Sequence, residues 1–100
     1  MKFVYEEALK EYMKNTGKHN IIVELVTCDT SDIEITELHV FAADDKQAAI
    51  FKEKKRYRSF PTEIGDVLLP RYPLTMEEQV VFKLKKFWIF KSVGYEGIRV

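Results

Sequence analysis

The sequence predicts a mainly β fold of the α+β class. It is expected to be one small β-sandwich or barrel-like domain over residues 1–100, with one N-terminal amphipathic helix. Three observations carry that reading. A clean helical period occurs near the N-terminus. Short runs rich in β-branched and aromatic residues follow it. Turn-forming residues separate those runs at short intervals.

Residues 4–14 have the helical period. Tyr5, Leu9 and Met13 form one stripe, with Val4, Ala8 and Tyr12 beside it. Glu6 is spaced to pair with Lys10, and Asn15-Thr16-Gly17 is a stop signal with Gly17 as the left-handed cap. Residues 20–28 read as a strand, and Asp29-Thr30-Ser31-Asp32 as a turn. A second strand is expected over about 33–42. Its apolar parity changes between Ile35 and Leu38, which predicts a bulge near Thr36-Glu37.

Residues 43–58 allow two readings. Asp44 or Asp45 can cap a short helix through Ala48, Ala49 and Phe51, or the same residues can form a turn and a strand. Asp66-Val67-Leu68-Leu69 reads as a short buried strand stopped by Pro70. Thr75-Met76-Glu77-Glu78 matches a helix capping box. The alternation of Val80, Phe82 and Leu84 with Lys83 and Lys85 outweighs it and predicts a strand over 78–84. Residues 85–91 are expected to make a helical turn, and 95–100 a short extended segment.

Sixteen basic residues balance sixteen acidic ones, so no global field draws the chain to nucleic acid or anionic lipid. No apolar run approaches the ~20 residues of a membrane helix. Acids follow Met1-Lys2-Phe3-Val4-Tyr5 where a signal peptide would continue apolar, and there is one cysteine. The expectation is a cytoplasmic protein without an internal disulfide and without a membrane partner.

Several segments together resemble the HesB-like family of A-type iron–sulfur carriers. The opening Phe3-Val4-Tyr5-Glu6-Glu7-Ala8-Leu9, the strand Ile21-Ile22-Val23-Glu24-Leu25 and Cys28 are similar to that family's start. Residues 81–92 and 96–100 look like a short branch with cysteine-pair or selenocysteine motifs, and 64–70 look like its central strand. The resemblance implies a HesB-like fold. The family binds metal or cluster through three cysteines, and Cys28 sits at the first of those positions. Gly94, Tyr95, Glu96 and Gly97 stand at the C-terminal positions, and 29–32 hold no cysteine either. A cluster takes about four protein ligands, mostly thiolates. The family's cluster therefore does not carry over, and no cofactor is expected.

Cys28 alone is a candidate thiolate ligand, although His19 and His39 fall in no ligand spacing with it. Asp29, Asp32, Glu34 and Glu37 cluster in sequence without the glycine and terminal glutamate of a calcium loop. Lys54, Lys55, Arg56 and Arg58 with Tyr57 form the candidate nucleic-acid segment; the alternative is a solvated, lysine-protected edge. Phe87, Trp88 and Phe90 form the candidate interface, expected beside the N-terminal helix in a homodimer. No nucleophile elbow, phosphate loop or metalloprotease motif is present, so an enzyme is not expected. The leading expectation is a degenerate HesB-like domain acting as a non-catalytic binding or protein-interaction module, its protein partner undefined by the sequence. A small nucleic-acid-binding module is the alternative.

Overall fold

The β-branched and aromatic runs become strands that pair into two sheets. The structure, a computed structural model, describes residues 2–29 and 32–100, without the side chains of Cys28 and Asp29. The turn expected at 29–32 thus falls partly outside the described residues. In chain order the elements are β1 (Lys2–Tyr5), α1 (Glu7–Thr16), β2 (Asn20–Asp29) and β3 (Glu34–Ala43). They continue with α2 (Asp45–Glu53), β4 (Arg58–Pro61), β5 (Asp66–Leu69), β6 (Thr75–Phe87) and β7 (Phe90–Arg99). Strand makes up 56% and helix 20% of the described residues, so the fold is mainly β.

One sheet has the order β1-β6-β7, with β1 parallel to β6 and β7 antiparallel to it. The other has the order β3-β2-β5-β4. The two sheets and α1 share a core built around Leu9, Met13, Ile21, Val23, Val67 and Phe82. Burying side chains of this size stabilises by roughly 1.5–3 kcal/mol each. A second cluster, Ile22, Ala43, Ala48, Phe51 and Leu68, lies where α2 covers the opposite face of β2 and β5. Strand alternation explains the division: Ile21 and Val23 point one way, Ile22 the other. Asn20, buried at the end of β2, joins these layers. Its Nδ2 donates to Asp45 Oδ1 at 2.9 Å, and its Oδ1 accepts from the Asp66 N–H at 3.1 Å.

Among the described residues there are two helices, not one. Asp44 caps α2 by accepting from the Gln47 N–H at 2.8 Å, and the helix is needed to cover Ile22 and Leu68. Helix α1 begins at Glu7, so Tyr5 reaches the shared core from β1 rather than from the helix. Gly17 does cap α1 in the left-handed region, at φ 69°. Lys10 bonds to Glu7 and to Glu63 rather than to Glu6.

No bulge interrupts β3. The β2–β3 ladder runs in register from Asn20↔Ala43 to Asp29↔Glu34. The parity change has another cause: α2 covers Phe41 and Ala43 at one end of β3, while Ile35 on the same parity stays exposed at the other. The irregular ladder is β6–β7, between Met76 and Val81. Gly97 sits opposite it at φ 86°, where an added Cβ would lie 2.3 Å from the Gln79 carbonyl oxygen. Thr75 starts a strand, not a capped helix, and β6 runs through to Phe87 where a helical turn was expected.

Candidate functional site

Beyond Phe82 the three-stranded sheet narrows to a two-stranded arm. β1 ends at Tyr5, opposite Phe82, while β6 and β7 continue as a hairpin closed by the pair Phe87↔Phe90. Trp88 and Ile89 are the two loop residues between them. Val80 and Phe82 are fully buried, yet Phe87, Trp88, Ile89 and Phe90 are 78%, 89%, 79% and 64% exposed. One strand therefore runs from core to solvent, through Lys83, Lys85 and Lys86, and ends on large apolar residues. Scattered exposed apolar residues are ordinary, but four consecutive large ones at a protruding tip mark a contact surface.

The tip is also locally unfavourable. Trp88 has φ 58°. Two-residue hairpin turns require positive φ at this position, and glycine, asparagine or aspartate normally supplies it. A bulky residue there costs on the order of 1–3 kcal/mol. Behind it, Lys86 stands directly opposite Lys91 in the ladder. Like charges so paired are destabilising, by about 0.2–1 kcal/mol. Both lysines lie on the α1 side of the arm, where the Lys91 ammonium sits 5.8 Å from the Tyr12 ring centre. Lys85 lies on the other face, its stem across Gly94. Among the described residues Lys85, Lys86 and Lys91 have no ion-pair partner, whereas Lys83 bonds to Glu96.

The basic segment after α2 is differently arranged. Lys55 pairs with Glu24 at 3.0 Å and lies over the Phe51 ring. Lys52, a turn earlier, donates to Asp66 Oδ2 at 2.7 Å. That bond, with one from Ser59, holds the Asp66 carboxyl below its ordinary pKa. Arg56 adopts φ 56°, and its carbonyl accepts from Arg71 Nε at 2.8 Å. Tyr57 packs edge-on to Phe51, and its hydroxyl accepts the Leu25 N–H at 3.1 Å. Its ring thus belongs to the α2 cluster. Lys54 ends α2 and Arg58 begins β4, where it lines a cleft of 190 Å³ with Phe60 and Tyr72. That volume is below the ~300–1,000 Å³ typical of small-molecule sites.

Cys28 pairs with Ile35 in the β2–β3 ladder, and its side chain lies outside the described residues. Glu34 and Glu37 differ in parity along β3 and so point to opposite faces. Among the described residues no three His, Cys, Asp or Glu side chains converge as a metal site. No family model, curated protein or solved structure matches the chain.

Phe87, Trp88 and Phe90 stand out in the sequence by residue type, whereas Ile89 and the Lys86–Lys91 pair do not. A signal was present. Lys86-Phe87-Trp88-Ile89-Phe90-Lys91 reads almost the same in both directions, which suits a hairpin closing on its two central residues. Without glycine or asparagine at the centre it does not read as a turn.

Proposed function

We propose that this chain is a non-catalytic binding module whose working surface is the tip of the β6–β7 hairpin. The observation that carries the reading is the run of four exposed apolar residues on an arm that narrows beyond β1. Three features there disfavour folding: exposed aromatic area, positive φ at Trp88 and facing lysines. Departures from local consistency of this kind concentrate at functional sites. A HesB-like ancestry with lost cluster ligands belongs to the same proposal. It is supported by the order of segments that resemble the family and by the single cysteine. The nucleic-acid alternative has less support, because Tyr57 is packed against Phe51 and Lys55 is engaged by Glu24.

The test is a benzophenone side chain placed at position 88 in the intact chain, activated in living cells. Adducts are expected at 88 and none with the same group at exposed Lys46. Equal, background labelling at both positions would overturn the proposal.

A further inference from the structure

The inference concerns what the tip binds, and rests on the tip being a binding element. We infer that the β6–β7 tip inserts into an anionic lipid surface, with Phe87, Trp88, Ile89 and Phe90 in the interfacial layer and Lys85, Lys86 and Lys91 on the lipid phosphates. Charge segregation along the hairpin is the first argument. The chain has zero formal net charge, yet residues 80–95 contain four lysines and no acid. Glu77, Glu78 and Glu96 lie toward the other end of the arm. Lys18, just beyond α1, lines the same depression as Lys91 and adds a cation at this end. One acid, Glu11, lines the depression that holds Lys86 and Lys91, and the cations outnumber it.

Shape is the second argument. The apolar group is a convex wedge with Phe87 and Phe90 on one face of the ladder and Trp88 and Ile89 at its end. A fluid layer deforms around such a wedge, whereas a folded partner needs a matching pocket. Aromatic residues favour the membrane–water boundary, and lysines just behind them meet the headgroups. Lys85 lies two residues from Phe87, or about 6–7 Å along a strand. That spacing matches the ~5–10 Å depth to which interfacial elements bury.

A second copy is the occupant the sequence led us to expect, and charge argues against it. A two-fold axis at the tip would bring two copies of the patch that carries Lys85, Lys86 and Lys91 together, like charge against like. No described helix is long and apolar enough to cross a membrane, and tip insertion requires none. Net charge and long apolar runs, which led the sequence reading to exclude a membrane partner, are averages over far more than four residues.

Trp88 is the sole tryptophan, so its fluorescence reports the tip directly. The full chain is titrated with phosphatidylcholine vesicles, with and without phosphatidylserine. A blue shift and quenching by brominated lipid are expected with the anionic vesicles alone, and salt should weaken both. The triple variant Lys85→Glu, Lys86→Glu, Lys91→Glu should lose on the order of 10²-fold in partitioning, about fivefold per lysine, with its circular dichroism unchanged. Unshifted emission with both vesicles overturns the inference. So does a blue shift that grows with protein concentration in buffer alone, or one produced by single-stranded DNA in place of vesicles. If vesicles fail while the benzophenone at 88 captures a protein, the lipid assignment falls and the binding-module reading stands. Failure of both experiments removes both.

Discussion

Lys86 and Lys91 face each other across the β6–β7 ladder, one pair before the hairpin closes at Phe87 and Phe90. Folding alone does not favour this arrangement, since opposed like charges weaken a ladder. Substituting Lys91→Glu converts the repulsion to an ion pair. We expect a stability gain of about 0.2–1 kcal/mol, read as a rise in Tm of roughly 1–6 °C. Binding of the same variant to anionic vesicles should fall. A variant less stable than wild type would show that the contact of Lys91 with the Tyr12 ring outweighs the repulsion from Lys86.

Trp88→Gly addresses the backbone at φ 58°. Glycine reaches that region without the Cβ clash, so thermal unfolding should report a stabilisation on the order of 1 kcal/mol. An unchanged or lower Tm would mean that the Trp88 ring stabilises the folded arm by as much as its backbone costs.

Phe82 and Phe87 are two phenylalanines of one strand with opposite surroundings, 0% and 78% exposed. Phe82→Ala should cost about 3–5 kcal/mol in urea denaturation, because it empties space beside Phe3 and Tyr5. Phe87→Ala should stay within about 0.5 kcal/mol of wild type. Comparable losses would place the tip in the core and remove the binding reading.

Asp66 gives a pH dependence of known sign. Its folded-state pKa is lowered, chiefly by the hydrogen bond from Lys52 and then by Ser59. The unfolded chain therefore takes up the proton first as pH falls. The stabilisation is present above the ordinary carboxylate pKa of about 4 and is lost as pH drops through the lower folded value. Asp66→Asn should be less stable than wild type at neutral pH, with the gap closing below about pH 4. Chemical denaturation of both proteins from neutral pH into acid measures it, and a gap independent of pH would refute the assignment.

The single cysteine also sets an outcome for metal loading. Anaerobic incubation with iron and sulfide should leave the protein colourless, since one chain offers one thiolate where a cluster takes about four ligands. Stoichiometric iron and sulfide that disappear on Cys28→Ser would reverse this and revive a carrier role.

Local chemistry decided a good part of the fold in advance. Gly17 ends α1 because glycine tolerates positive φ, and Val67-Leu68-Leu69 forms β5 because a short apolar run before Pro70 suits a buried strand. Leu9 and Met13 lie one helical turn apart, and that spacing alone puts both against the sheets. The sequence also marks the aromatic tip and the shortage of cluster ligands, since both are matters of residue type and adjacency.

Tertiary structure decided what depends on distant partners. Residues 43–58 allow helix or strand locally, and α2 prevails because Ile22 and Leu68, far away in sequence, need an apolar cover. Tyr57 looks like a stacking residue until Leu25 and Phe51 are brought to it. Phe82 and Phe87 fall on opposite faces of β6, and alternation alone does not say which face is buried or how far along the strand. β1 ends opposite Phe82, which leaves the rest of the arm without a third strand and Phe87 in solvent. Burial is a property of neighbours, and those neighbours arrive only when the chain has folded.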